Sequence, residues 1–235
     1  MLLVFDIPKY NFKFYSRVTR KINNFAIQDM FVSMSFHEEE ILKHFIPKEG
    51  DIVVDIGAAF GFYTILASKM IGSKGKVIAI EPQPESFQML NSNIKLNKLS
   101  NVTTLNYAVY SNETKLQLYS SYSVIPERAE ENTSDFIEVN CNKLDNLILQ
   151  IEKINEVNWI KIDVEGTELE VLKGATKILS KSKDISLLIE IHNISEGKNH
   201  YQSIIDLLNN YNFKIEFEKV YDNGERHIIV RKQQL

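Results

Sequence analysis

Short apolar runs separated by segments of helical period dominate the chain. Ile52, Val53, Val54 and Ile56 surround Asp55 in a nearly continuous β-branched run, the pattern of a strand covered on both faces. Similar runs follow at Lys76 to Ile80, Val102 to Asn106, Trp159 to Val164 and Ile185 to Ile191. Between them the period changes. A helix is predicted from Phe62 to about Ile71. Another starts at Pro84, with Phe87, Leu90 and Ile94 on one face. Leu144, Leu147, Ile148 and Ile151 predict a third. Thr167 and Glu170 have capping-box spacing for a helix reaching Leu179, and a last helix covers His200 to Asn210. Lys115 to Tyr119 and Phe136 to Val139 read as short strands. Phe213 to Phe217 and His227 to Val230 flank Asp222-Asn223-Gly224, a hairpin turn. Alternating strands and helices predict an α/β protein with a parallel, doubly wound sheet, closed by an antiparallel hairpin.

The N-terminal part reads differently. Residues 7–28 carry Lys9, Lys13, Arg17, Arg20 and Lys21 and no acid. Helical spacing would put the first four on one side, with Phe12, Phe14 and Tyr15 interleaved. A solvated face of a cap helix is the preferred reading over a patch for an anionic surface. Phe31 to Ile46 is also helical in pattern and stops at Pro47. The expected organisation is a helical extension over 1–48 and a catalytic domain over 49–235. The polar stretch 122–134 reads as a loop.

Composition excludes more than it identifies. The formal charge of −4 argues against a general nucleic-acid binder. Cys141 is the single cysteine, so no internal disulfide exists, which suits a reducing, cytoplasmic setting. No apolar run approaches a membrane span, and MLLVFDIPKY is too short in its apolar part for a signal peptide. Oligomeric state is not readable.

In open α/β sheets ligands bind beyond the carboxyl ends of the strands. Those ends carry Asp55 and Gly57, Glu81, Asn106, Asp163 and Glu165, and Glu190 and His192. Gly57, Ala59 and Gly61 form a small-residue turn between strand and helix, where backbone can approach a nucleotide-like ligand. Glu81 ends the next strand, about twenty residues on, where a carboxylate can accept from both hydroxyls of a ribose.

DIGAAFGFYT, IEPQPESFQML, WIKIDVEGTELEVLKGA and LLIEIH, in this order, resemble the FkbM-type S-adenosylmethionine-dependent methyltransferases. The resemblance spans about Asp51 to His192 and is most specific in WIKIDVEGTELEVLKGA. It implies a Rossmann-like methyltransferase sheet of seven strands, six parallel and one antiparallel, with helices on both faces. It implies that Asp55 and the backbone of Gly57, Ala59 and Gly61 hold the amino-acid part of S-adenosylmethionine. Glu81 would hold the ribose. Pro82, Asn106 and Ala108 would lie near the adenine, and Asp163 would border the methyl donor and the acceptor.

Transfer to a hydroxyl needs a base. His192 is the first candidate, from its ordinary pKa. Asp163 and Glu165 follow, as base or as orienters of it. A divalent cation on Asp163, Glu165, Glu190 and His192 ranks below metal-free catalysis, since no tight ligand spacing demands it. The leading expectation is O-methylation of a small molecule or glycan. An NAD-dependent oxidoreductase or epimerase would want a third glycine in the turn and a Tyr-x-x-x-Lys pair, which is not found. A non-catalytic cofactor-binding protein fits poorly with the intact acidic positions.

Overall fold

The computed structural model describes residues 2–7, 10–17, 39–119, 136–193 and 198–233. The first core strand, β3 (Ile52–Ile56), is buried along nearly its whole length, as its unbroken apolar run requires. It pairs in parallel with β4 (Lys76–Ile80) on one side and β9 (Trp159–Ile162) on the other. β5 (Val102–Leu105) extends the sheet beyond β4, and β10 (Ser186–Ile191) extends it beyond β9, both in parallel. β12 (Arg226–Lys232) enters antiparallel to β10, and β11 (Phe213–Val220) is antiparallel to β12. The order is therefore β11-β12-β10-β9-β3-β4-β5, seven strands with β12 alone reversed.

Alternate side chains of these strands feed two cores. Val54, Ile56, Ile160, Ile162, Leu187 and Ile189 pack against the helices α4 (Glu168–Lys173), α5 (Thr176–Lys181) and α6 (Lys198–Asn210). Val53, Val77, Trp159 and Leu188 face Ile65, Leu66 and Ile71 of α2 (Phe62–Ile71) on the other side, where Ile41 of the short α1 (Glu39–Leu42) and Phe45 after it also pack. Helix α3 (Pro84–Leu96) links β4 to β5 and starts with proline in its first turn. Gln83 caps it by accepting from the Ser86 N–H.

A second, smaller sheet lies between β5 and β9 in the chain. β8 (Phe136–Asn142) pairs with β7 (Thr114–Tyr119) antiparallel and with β6 (Ala108–Val109) in parallel. The apolar residues after it were expected to form an α-helix, and Asn146–Ile151 is instead a π-helical turn.

Two expectations are corrected. The described part of the N-terminal extension is a hairpin, β1 (Leu2–Ile7) and β2 (Phe12–Arg17), not a cap helix. Phe12 and Phe14 are buried while Lys13 between them is exposed, a period of two that the interleaved basic residues obscured. Lys9, Arg20, Lys21 and the loop 122–134 lie outside the described residues. The helix expected from Thr167 to Leu179 is split in two at Gly174, where a Cβ would come within 2.3 Å of the Tyr110 carbonyl oxygen. Asp145 then caps α5 from a distance, accepting from the N–H groups of Lys177 and Ile178.

Asn93, fully buried in α3, clamps the hairpin to the sheet. Its Oδ1 accepts from the Tyr15 N–H at 2.5 Å, and its Nδ2 donates to the carbonyls of Tyr15 at 3.2 Å and Phe60 at 2.8 Å. Replacing Asn93 with alanine strands three backbone groups and is expected to cost about 2–4 kcal/mol. Denaturant unfolding should show the loss, and amide exchange should accelerate first at residues 12–15.

Candidate active site

A cavity of about 390 Å³ opens at the carboxyl ends of β3, β4 and β9. Gly57, Ala58, Ala59 and Phe60 form its floor, Glu81, Pro82 and Ala108 one end, and Lys161, Asp163, Val164 and Glu165 the other. The turn must carry glycine at 57. Its φ is +73°, and a Cβ there would lie 1.7 Å from the Asp163 carbonyl oxygen, so the tips of β3 and β9 touch backbone to backbone. Ala59 is held at φ 48°, and its N–H donates to Glu81 Oε2 at 2.8 Å.

Glu81 is 5% exposed and turned into this cavity. Its second oxygen accepts from the Gln83 N–H at 2.9 Å. Burial pushes its carboxyl up to about 7, against the pull of those two N–H groups and of Lys161. Asn106 does not line the cavity; its Nδ2 donates to the carbonyls of Glu81 and Pro82 and so holds the end of β4 in place.

Asp55 also departs from its expected role. It is buried behind the turn and is absent from the cavity wall. Its Oδ2 accepts from the Thr64 hydroxyl at 2.5 Å, and its Oδ1 lies 3.8 Å from the ammonium of Lys161 without a hydrogen bond. Asp55 thus shapes the turn by anchoring α2 and Lys161. Gly61, at φ +94°, likewise lies off the wall and lets α2 pack on Leu90.

Lys161 is a site residue that sequence reasoning missed, because a lysine inside a core-strand pattern reads as an edge or a solvated tip. It is buried, donates to the Gly57 carbonyl at 3.2 Å and to Asp163 Oδ2 at 3.0 Å. Burial alone would lower its ammonium, but Asp163 and Asp55 outweigh burial and raise it above the ordinary lysine value.

Glu168 is the second missed residue. The capping box does not form: Thr167 donates its hydroxyl to the Val164 carbonyl, and Glu168 Oε1 accepts from the Gly166 N–H at 2.7 Å. Glu168 is fully buried between two histidines, 2.8 Å from His192 Nδ1 and 2.8 Å from His200 Nε2. Burial opposes its charge, yet those partners bring its carboxyl down to about 2. Burial also opposes charge on His192, and Glu168, with Asp163 and Glu190 beyond it, overrides that and lifts the imidazole to about 9. At neutral pH the free ring is therefore an imidazolium, which has no lone pair with which to take a proton. This removes the reason for which His192 was the first candidate base. His192 does sit beside the other two candidates: its Nε2 is 3.4 Å from Glu165 Oε2 and 3.9 Å from Asp163 Oδ1.

Among the described residues the wall carries one cation, Lys161, and it is already engaged by Asp163 and Asp55, which suits a pyrophosphate poorly. A buried carboxylate and a glycine turn suit a nucleoside without phosphates. The sequence comparison decides the matter, since the methyltransferase FkbM domain model matches residues 55–215. The chain belongs to the FkbM methyltransferase family. The family's methyl donor is S-adenosylmethionine, and the residues present fit it. The hexuronic acid methyltransferase AglP of Haloferax volcanii is 26% identical over 198 residues, 83% of this chain and 77% of that relative. Among solved structures, a SAM-dependent methyltransferase from Aquifex aeolicus superposes with a TM-score of 0.52 at 19% identity, covering 91% of this chain and 100% of that one. A SAM-dependent O-methyltransferase from Thermotoga maritima gives 0.53 at 16% identity, covering 88% and 71%. At those identities the structural likeness establishes the shared fold.

Glu81 generates a prediction whose sign follows from its raised carboxyl. The folded apoprotein holds this proton up to about pH 7, and the unfolded chain releases it near 4.5. The resulting stability, of order 3 kcal/mol, is full below 4.5 and is lost as pH rises through 7. Glu81→Gln should remove that slope in pH-resolved denaturant unfolding. An ionised Glu81 would be the acceptor for ribose hydroxyls, so calorimetry should show affinity for S-adenosylmethionine rising from about pH 6 to 8 in the wild type. The Gln variant should bind at least about tenfold more weakly, without the pH dependence.

Proposed function

We propose that this FkbM protein methylates a hydroxyl oxygen on a small molecule or glycan, with Asp163 and Glu165 at the acceptor end. The observation that carries this reading is the shape of the cavity. Glu81 at one end and the two carboxylates at the other line a single space, so a donor lying across the turn would present its methyl toward Asp163. The relative from Haloferax volcanii named for hexuronic acid methylation supports a sugar acid as the acceptor. Phe60, Tyr63, Tyr107 and Tyr110 on the wall offer faces on which a sugar ring can stack. The charge of −4 favours such an acceptor over a nucleic acid, and among the described residues no helix is long and apolar enough to cross a membrane.

S-adenosylmethionine supplies a methyl group already activated on a sulfonium sulfur. The chain's task is then to hold the acceptor oxygen about 3 Å from that carbon and in line with the breaking bond. With the donor bound, the new carbon–oxygen bond would form as the carbon–sulfur bond breaks, the electron pair staying on sulfur. The hydroxyl proton passes to a carboxylate. Asp163 is the better placed base, since it lines the cavity and Lys161 holds only its Oδ2, leaving Oδ1 3.9 Å from His192 Nε2. His192 as an imidazolium would stabilise both carboxylates and set their orientation.

Incubation with uronic acids, neutral sugars and hydroxylated metabolites, read by release of S-adenosylhomocysteine and by product mass, tests the proposal. A methyl ether on a sugar acid is the expected product. Methylation of a carboxylate or a ring nitrogen would contradict the reading. Asp163→Asn should lower kcat about 10²-fold or more.

A further inference from the structure

We infer that Asp163, Glu165 and His192 form a binding site for a hard divalent cation, Mg²⁺ or Mn²⁺, at the acceptor end of the cavity. One ligand atom from each residue lies within 4.8 Å of the other two. The His192 Nε2 distances of 3.4 Å to Glu165 and 3.9 Å to Asp163 are close to the roughly 3 Å that separates neighbouring donors around a small octahedral ion. Asp163 and Glu165 line the cavity, so the ion's remaining positions would face the acceptor.

The histidine supplies an independent reason. Its side chain is 4% exposed, and its Nδ1 is held by Glu168 at 2.8 Å. Its Nε2 faces the carboxylates and makes no hydrogen bond; besides Glu165 and Asp163, Glu190 Oε1 stands 3.7 Å away. A carboxylate on one ring nitrogen, aiming the other at anionic oxygens, is the arrangement that orients a metal-ligating histidine. Glu168 goes further. The oxygen that holds His192 also accepts from the Gly166 N–H, which fixes the loop carrying Glu165. His200 holds the other oxygen.

The carboxylates are also disposed for a cation. Asp163 gives Oδ2 to Lys161 at 3.0 Å, and Glu190 has Oε2 3.2 Å from His227 Nε2. Each thereby turns its second oxygen toward His192. Three carboxylates facing one ring nitrogen form an anionic cluster whose charge a divalent ion at that nitrogen would balance. Two carboxylates with one imidazole suit Mn²⁺ or Mg²⁺ better than a thiophilic metal. The consequence for catalysis rests on the O-methylation reading: an acceptor hydroxyl on the ion would be acidified, and its proton would pass to a carboxylate oxygen that does not hold the ion.

The test uses the full chain after chelator treatment, without donor or acceptor, so it does not depend on that reading. Mn²⁺ is titrated by calorimetry and by electron paramagnetic resonance of the free ion. The expected result is one bound ion per chain, with affinity at least about tenfold weaker in both Glu165→Gln and Asp163→Asn, and weaker in Glu168→Gln through loss of the oriented ring. Glu165 is 40% exposed, so its variant should stay folded, which circular dichroism checks. Absence of Mn²⁺ binding below millimolar concentration would overturn the inference. So would wild-type affinity in a folded Glu165→Gln or Asp163→Asn variant. If Mn²⁺ binds as expected but no hydroxyl acceptor is ever methylated, the cation site stands and the O-methylation reading fails.

Discussion

The structure depends on the meeting of two strand tips through a glycine and a buried ammonium. Gly57 ends β3 and Asp163 follows β9, and only a residue without a side chain lets their backbones touch. Lys161 then binds the Gly57 carbonyl, Asp163 and, at longer range, Asp55. A buried lysine is costly unless its charge is matched, and here the matching carboxylates come from two strands, Asp55 behind the turn and Asp163 on the cavity wall. The same contact thus fixes the glycine turn and orients Asp163 on the cavity wall. Disturbing it would change the distance between the two ligands, the quantity on which methyl transfer is most dependent.

Beyond that contact, charge is arranged by depth. The sheet interior is almost purely aliphatic: Val54, Ile56, Ile78, Ile80, Ile160 and Ile162 are essentially inaccessible. Glu81, Lys161, Glu168, His192, His200 and His227 are also buried, but all lie at or beyond the strand ends on the carboxyl side, except Lys161, whose ammonium reaches there. Each has a partner, so the desolvation cost is partly offset by hydrogen bonds. The aliphatic layers supply the stability that lets these groups remain out of water in fixed positions. An effective dielectric well below that of water also strengthens whatever field they exert on a reacting atom.

The sheet was legible because parallel strands covered on both faces leave a plain mark, and the seven strands lie close to where the apolar runs put them. The strand-end rule named Glu81, Asp163 and Glu165, and the family resemblance Pro82 and Ala108, all of which line the cavity. What stayed hidden depends on partners far apart in the chain. Asp55 looked like a ligand-facing acid, and only the positions of Thr64 and Lys161 reveal that it points behind the turn. Glu168 drew no reading of its own from the sequence; its role depends on His192 and His200, 24 and 32 residues away. The hairpin at the N-terminus was misread because basic residues at helical spacing outweighed a short alternation of Phe12, Lys13 and Phe14.

His192 shows why a residue's ordinary pKa is a poor guide to its role. A histidine alone at a strand end would titrate near neutrality and serve as a base. With a fully buried carboxylate on its far nitrogen and three more near the other, it holds its proton into the alkaline range. On the proposed O-methylation, proton acceptance would fall to the carboxylates it faces, and the imidazole would be the group that keeps them together. The buried Glu168 is what makes that exchange of roles necessary, because its own charge requires a cationic or donating neighbour on each side.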